Sequence, residues 1–286
     1  MTTNFILEIK NKLEKKFRKY FPKRIPNASL FINTLKGLSG LEIGGPSFAF
    51  TQKGFIPIYK HIKSLDGCNY SADTVWEGKI ESGQTYKFEN KIGFQYILDG
   101  SDLKDIKEDQ YDFILSSHNL EHIANPIKAL MEWKRVLKKN GYLLMILPHK
   151  DRTFDNKRPI TDFNHILDDY KNKTEENDTT HFEEVITLHD LSKDSGVADL
   201  EELKERTKNN FLNRCVHHHV FNSPLAAKLV DHVGFKILDL TPFSPYHIII
   251  LAQKNDTLKN GNDIFTTSAL GGYKNSCFHS DRLEQF

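Results

Sequence analysis

Leu41-Glu42-Ile43-Gly44-Gly45-Pro46-Ser47 sets an acidic residue two places before paired glycines, at the end of a short apolar run. Glycine admits φ > 0 and lets a ligand approach main-chain N–H groups. The turn after the first strand of a doubly wound α/β domain receives a nucleotide in this way. Gly-Gly-Pro also makes ordinary turns, so the meaning of the stretch depends on the residues found at fixed spacing beyond it. Further apolar runs occur at Ile62 to Leu65, Phe94 to Leu98, Phe113 to Ser116 and Tyr142 to Leu147, separated by helical stretches. That alternation predicts an α/β fold. Between the last two runs, Asn125-Pro126 supplies a cap and a first-turn proline, Ile127, Leu130, Met131 and Leu137 recur with helical period, and Gly141 ends the helix. Strand, helix and strand in that order imply a parallel sheet. A helix over Pro224 to Val233, stopped by Gly234, leads to a closing strand pair at Phe235 to Leu240 and His247 to Leu251.

Outside this region the chain changes character. Phe5, Ile6, Ile9, Leu13, Phe17 and Phe21 recur at three- and four-residue steps and predict an amphipathic helix, ended near Pro22 and Pro26. Between Glu8 and Arg24 this segment carries eight Lys or Arg against two Glu, so residues 5–24 are expected either to dock on the domain or to touch a membrane surface. The expected organisation is an N-terminal helix and linker over 1–37, a main domain over 38–253 with a polar, lid-like insertion at about 150–215, and a tail over 254–286. Lys plus Arg number 39 against 38 for Asp plus Glu, which gives no electrostatic reason to expect a nucleic-acid partner. Three widely spaced cysteines, Cys68, Cys215 and Cys277, fit a reducing compartment better than a disulfide framework. No apolar run approaches the length of a membrane span, and the expected location is the cytoplasm. Oligomeric state is not readable from the sequence.

Tyr111-Asp112-Phe113-Ile114-Leu115-Ser116-Ser117-His118-Asn119-Leu120-Glu121-His122-Ile123 closely resembles the fourth-strand segment of the class I S-adenosylmethionine-dependent methyltransferases, in their UbiE-like or type 11 branch. The resemblance runs from about Gly40 to Pro148. It implies a Rossmann-like, seven-stranded methyltransferase sheet with S-adenosylmethionine as cofactor. In that family an acidic residue before a glycine-rich turn ends the first strand, a place that Glu42, Gly44 and Gly45 occupy here, although Gly-Gly-Pro-Ser departs from the usual alternating glycines. The resemblance gives Asp66 the ribose hydroxyls; Asp73 is its competitor, and a plain turn Asp before Gly67 is the bland alternative. It gives Asp99, followed by Gly100, the adenine amino group, although Leu98 replaces the family's glycine. Ser117, His118 and Asn119 fall at the carboxyl edge of the sheet, near the expected sulfonium. Glu121 and His122 either join them or orient the following helix. Ser117-His118-Asn119-Leu120 does not match the Asn-Pro-Pro-Tyr type motif common among amine methylators.

The acceptor half is read from the residues themselves. A hydroxyl acceptor must lose a proton as it is methylated, so a positioned base is required. His149 in Pro148-His149-Lys150-Asp151-Arg152 is the leading candidate, with helix capping as its structural alternative, and His118 and His219 are further catalytic candidates. If Arg214-Cys215-Val216-His217-His218-His219 is extended, His217 and His219 share a face and enter the acceptor pocket. A divalent metal on that pair is a minor alternative, and no ligand set is assigned. The chain also resembles methyltransferase-domain proteins found among bacterial surface-polysaccharide genes, which implies O-methylation of a sugar or glycan acceptor. The rival readings are another small-molecule acceptor and a non-catalytic cofactor-binding protein. A nicotinamide oxidoreductase is disfavoured by Glu42 and by the Leu120 to Ile123 stretch.

Overall fold

The computed structural model describes residues 23–255, 261–266 and 272–283. The basic helix expected at residues 5–21 lies outside the described residues, as does the possible membrane contact through most of residues 5–24. Among the described residues no helix is long and apolar enough to cross a membrane.

One eight-stranded sheet organises the chain. Its strands are β1 (Ser39–Ile43), β2 (Ser64–Asn69), β5 (Gly83–Phe88), β6 (Lys91–Ile97), β7 (Tyr111–Ser117), β8 (Leu137–Pro148), β9 (Phe235–Phe243) and β10 (His247–Lys254), in the spatial order β5-β6-β2-β1-β7-β8-β10-β9. The short strands β3 (Asp73–Thr74) and β4 (Gly78–Lys79) form a separate ribbon. From β6 to β8 the strands are parallel, whereas β10 runs antiparallel to both β8 and β9. The order of connection reverses between β1 and β7, which makes their carboxyl ends a switch point where open α/β sheets bind ligands. The additional strand β5 is a hairpin partner of β6.

Both faces of the sheet are covered, so its central strands are near-continuous apolar runs. Leu41, Ile43, Ile114 and Met145 face helices α2 (Pro126–Val136) and α6 (Ser223–His232), with Trp133 and Leu229 fully buried between the layers. Phe113, Leu115 and Ile146 face α1 (Ala28–Leu35) and the loop over 48–62, where Phe31, Phe50 and Ile58 are fully buried. Asn125 accepts from the Lys128 N–H and Pro126 occupies the first turn of α2, as its sequence predicts.

The second strand corrects the sequence reading. It runs over Ser64–Asn69, later than Ile62 to Leu65, because Glu42 pairs with Gly67 and Ile43 with Cys68. Asp66 is therefore in mid-strand, and Asn69 ends the strand. The insertion carries three helices of seven residues or more, α3 (Phe163–Asn172), α4 (Phe182–Leu188) and α5 (Leu200–Lys208), and a single turn at Asn210–Asn213. Periodicity gave no sign of them because their buried positions are few and partly polar, including Asp169 and Thr207.

Candidate active site

A cavity of about 780 Å³ opens along the carboxyl ends of β2, β1, β6 and β7, within the size range of small-molecule sites. Gly44, Pro46 and Ser47 line it after β1, Asn69 and Tyr70 after β2, and Asp99 and Gly100 after β6. Ser117, His118 and Asn119 follow from β7.

The β1 loop is built from below. Glu42 is fully buried on the α1 side of the sheet, where its Oε2 accepts from the hydroxyls of Tyr59 at 2.6 Å and Tyr86 at 2.7 Å. Its Oε1 accepts from the Ser47 N–H at 3.0 Å. Burial raises the pKa of this carboxyl, and the three donors oppose the rise. Gly45 lies directly over it, since a Cβ there would stand 2.3 Å from the Glu42 carboxyl carbon. Gly44 has φ +77°, and a Cβ there would meet the Asn119 amide at 2.5 Å. Glu42 and Gly45, expected to touch the cofactor, therefore lie outside the cavity lining and shape the loop that presents Gly44, Pro46 and Ser47.

Asp66 also departs from its expected place. Its carboxylate accepts from the Phe94 N–H at 2.8 Å and the Tyr111 hydroxyl at 2.7 Å, tying β2 to β6 and β7 away from the cavity. The residue at the strand end is Asn69, buried, with Nδ2 donating to the Gly45 carbonyl at 3.2 Å and Oδ1 buried without a hydrogen-bond partner among the described residues. Asp99 does line the cavity. Its Oδ1 accepts from the Ser101 N–H at 2.8 Å, and its Oδ2 lies 3.3 Å from Arg214 Nη2. The Trp133 indole donates to the Gly100 carbonyl at 2.8 Å and pins this loop to α2.

The far wall is a cluster of imidazoles around Glu121. His118 has φ +52° and shares a 2.9 Å hydrogen bond between its Nε2 and His247 Nδ1, while its Nδ1 lies 3.8 Å from Glu121 Oε1. Burial lowers the His118 pKa to about 3, with repulsion from His247 and His217 adding to it. Glu121 is fully buried, neither carboxylate oxygen has a hydrogen-bond partner among the described residues, and burial raises its pKa to about 7. His122 Nδ1 bonds the Val216 carbonyl at 3.2 Å, and His217 Nδ1 bonds Asp155 Oδ2 at 2.6 Å. Their Nε2 atoms face Glu121 Oε1 at 3.8 and 4.0 Å. Asp155 is in turn held by Arg158 at 2.8 Å, and although burial opposes it, His217 and Arg158 hold its carboxyl down at about 2.

Two expected catalytic residues lie elsewhere. His149 is fully buried outside the cavity lining, its Nε2 on Asp281 at 2.9 Å, its Nδ1 accepting from the Asp151 N–H and its ring stacked on Phe278. Its place is the cap of a short helical turn, held by the tail. His219 is fully buried behind the wall, with Nε2 on the Ala124 carbonyl at 3.2 Å beside His165 and His181. The segment from Arg214 is not an extended strand, because Arg214 itself has φ +52°. His217 consequently enters the cavity without His219.

Sequence reasoning missed Asn69, Trp76 and His247. Asn69 was hidden by the misplaced strand end. Trp76 sits half-exposed on the cavity in the loop between β3 and β4, and nothing local in the sequence marks it. His247 opens β10, and its partnership with His118 spans 129 residues.

Residues 57–145 match a family model described as a methyltransferase domain. No curated protein matches the chain. Solved structures similar to it include a putative S-adenosylmethionine-dependent methyltransferase from Listeria monocytogenes, at 18% identity and TM-score 0.46 over 80% of this chain and 97% of that one. A second is a methyltransferase from Methanosarcina mazei, at 16% identity and TM-score 0.45 over 81% and 98%. A third is the Burkholderia thailandensis 1,6-didemethyltoxoflavin N1-methyltransferase with bound 1,6-didemethyltoxoflavin and S-adenosylhomocysteine, at 10% identity and TM-score 0.43 over 90% and 91%. The match to a methyltransferase domain falls on the central strands of a doubly wound sheet whose cavity opens at its switch point.

Proposed function

We propose that the enzyme transfers a methyl group from S-adenosylmethionine to a hydroxyl of a sugar or glycan acceptor. One observation carries this reading: a single cavity joins a backbone-built loop at Gly44 to Ser47 and an acidic residue, Asp99, to a wall of proton acceptors at His118, Glu121, His122 and His217. The nucleoside would lie over the carboxyl ends of β1, β2 and β6, its ribose toward Asn69 and its adenine amino group toward Asp99. The acceptor would fill the outer half, where Trp76, Phe154 and Tyr246 give apolar faces suited to a sugar ring, and Glu77, Arg152 and Asn213 give polar contacts for its hydroxyls.

In the transfer the sulfur–methyl bond breaks with its electron pair remaining on sulfur, and the acceptor oxygen forms the new bond. Alignment of donor and acceptor supplies much of the barrier reduction. The hydroxyl proton leaves at the same time. Burial keeps His118 neutral, and when Nε2–H donates to His247 its Nδ1 is the proton acceptor; the resulting imidazolium would lie beside the Glu121 carboxylate.

Isothermal titration tests the cofactor half. Asp99→Ala should weaken S-adenosylmethionine binding by about 10- to 100-fold, the worth of one hydrogen bond to a charged group, whereas Asp66→Ala should leave it unaltered. Equal effects of the two, or no binding by the wild type, would overturn the arrangement. The acceptor is tested by following labelled methyl groups into fractionated cell-envelope precursors, and label found only in protein or nucleobase fractions would refute a sugar.

A further inference from the structure

We infer that Glu121, His122 and His217 hold a divalent first-row transition-metal ion on the acceptor side of the cavity. Glu121 Oε1 lies 3.8 Å from His122 Nε2 and 4.0 Å from His217 Nε2, and one ligand atom from each of the three residues falls within a single 4.8 Å set. These separations are too long for hydrogen bonds. They suit atoms converging on an ion at about 2.0 to 2.2 Å, once they close in slightly.

The contacts of the two rings point the same way. His122 Nδ1 faces the Val216 carbonyl and His217 Nδ1 faces Asp155, so each ring is held through Nδ1 and its Nε2 is directed inward. They point at a carboxylate whose two oxygens are buried and have no hydrogen-bond partner among the described residues. Three possible ligand atoms thus converge at separations too long for hydrogen bonds to one another, and a cation at their focus would satisfy all three. The outer contacts are those of a metal centre, since a carboxylate on one imidazole and a backbone carbonyl on the other fix tautomer and ring direction. Asp155 is itself fixed by Arg158. Two imidazoles and one carboxylate on one side of an ion leave positions open toward the cavity, the pattern of sites that bind substrate at the metal.

The role of the ion rests on the methyl-transfer reading above. Bound there, it would take the acceptor hydroxyl as a ligand, lower its pKa and hold its oxygen for attack on the methyl carbon, the proton passing to a neighbouring neutral base. Two further groups, His165 with His181 and His219 and Asp178 with His181 and His218, lie outside the cavity lining and share His181, whose substitution serves as an internal control.

The test is titration of chelator-stripped enzyme with Mn²⁺, followed by electron paramagnetic resonance, and with Co²⁺, followed by its visible absorption. One equivalent should bind. Asp155→Asn should weaken that binding about 10- to 100-fold, as loss of an outer-shell carboxylate does elsewhere, and Glu121→Gln, which keeps the side-chain shape, should weaken it at least as much. His181→Ala should leave it unaltered. Absence of a stoichiometric site, or loss of binding in His181→Ala with wild-type binding in Glu121→Gln, would overturn the inference. S-adenosylmethionine titration of the stripped enzyme separates the two readings. Cofactor binding without metal binding refutes the ion alone, whereas metal binding without cofactor binding refutes the methyl-transfer reading of the cavity and leaves the ion site standing.

Discussion

The carboxylate beneath the cofactor loop is the most informative single position to perturb. Glu42→Ala removes the acceptor of three hydrogen bonds, from the Tyr59 hydroxyl, the Tyr86 hydroxyl and the Ser47 N–H, in a fully buried location. An orphaned buried donor costs about 1–3 kcal/mol, so the two tyrosine hydroxyls together would cost about 2–6 kcal/mol, and water entering the vacated space would reduce the net loss to about 2–4 kcal/mol. A domain stable by about 5–15 kcal/mol survives that loss with a much lower urea midpoint. Ser47 would also lose one of the two acceptors that fix its N–H, leaving the Tyr59 hydroxyl at 2.7 Å, and S-adenosylmethionine affinity should fall by about tenfold or more. Glu42→Gln keeps the shape and the acceptor facing Ser47, and the tyrosine hydroxyls can turn to accept from its amide, so its cost at pH 5 should stay below about 1.5 kcal/mol. The two variants also differ in pH dependence. Because burial raises the Glu42 pKa above its ordinary 4.5, the folded protein binds that proton more tightly than the unfolded chain. The resulting stability is fully present below 4.5 and is lost as pH rises through the folded value. Gln has no such loss, so wild type should lose ground relative to Glu42→Gln between pH 5 and pH 8. Urea unfolding across that range measures both effects. An Ala variant within about 1 kcal/mol of wild type, or a Gln variant whose relative stability falls with rising pH, would refute the account of a buried acceptor of three hydrogen bonds.

Gly44→Ala combines a residue at φ +77° with a Cβ 2.5 Å from the Asn119 amide, so it should weaken cofactor binding at least as much as Asp99→Ala, measured by the same titration. Asp281→Ala unties the tail: its carboxylate bonds His149 Nε2, the Ser223 N–H and hydroxyl, and the Ser276 hydroxyl, and breaking so buried a cluster should cost about 3–5 kcal/mol in urea unfolding. Limited proteolysis should then cut within 272–283 well before it cuts the sheet, and a protection pattern identical to wild type would count against the tail as a structural strap.

The sheet was legible from sequence because each of its signals is local. Leu41 to Ile43, Phe113 to Ser116 and Tyr142 to Leu147 are strands because both faces are buried, and Asn125-Pro126 caps its helix with atoms three residues away. The site was only half legible for the complementary reason. Gly44, Asp99, Ser117 and His118 follow directly from strand ends, so strand order carries them to the cavity. Asp66 misled because the spacing of an acidic residue from a glycine says nothing of register, and the pairing of Ile43 with Cys68 moves the strand end to Asn69. His149 misled because its partner, Asp281, lies 132 residues away and cannot be inferred from its neighbours.

The three consecutive histidines show how far local alternation can fail. Extended backbone would set His217 and His219 on one face, but the left-handed residue at Arg214 and contacts to other elements replace strand pairing with a path over the wall of the cavity. The Arg158 guanidinium donates to the His217 carbonyl at 2.9 Å, and the His218 N–H donates to the Glu121 carbonyl at 2.8 Å. Each bond ties the segment to a residue of the cavity wall or to its outer support, Asp155. The polar insertion is therefore held by pairing its buried charges, Arg158 with Asp155 and Glu184, where an apolar lid would be held by area. Buried pairs of this kind contribute little net stability, yet breaking one member is costly, so they fix position more than they add strength. That property suits a segment whose task is to set the His217 ring, because its Nε2 faces Glu121 only while Asp155 holds Nδ1. Composition alone describes such a segment as an irregular lid, since the information that makes it rigid is entirely in its long-range partners.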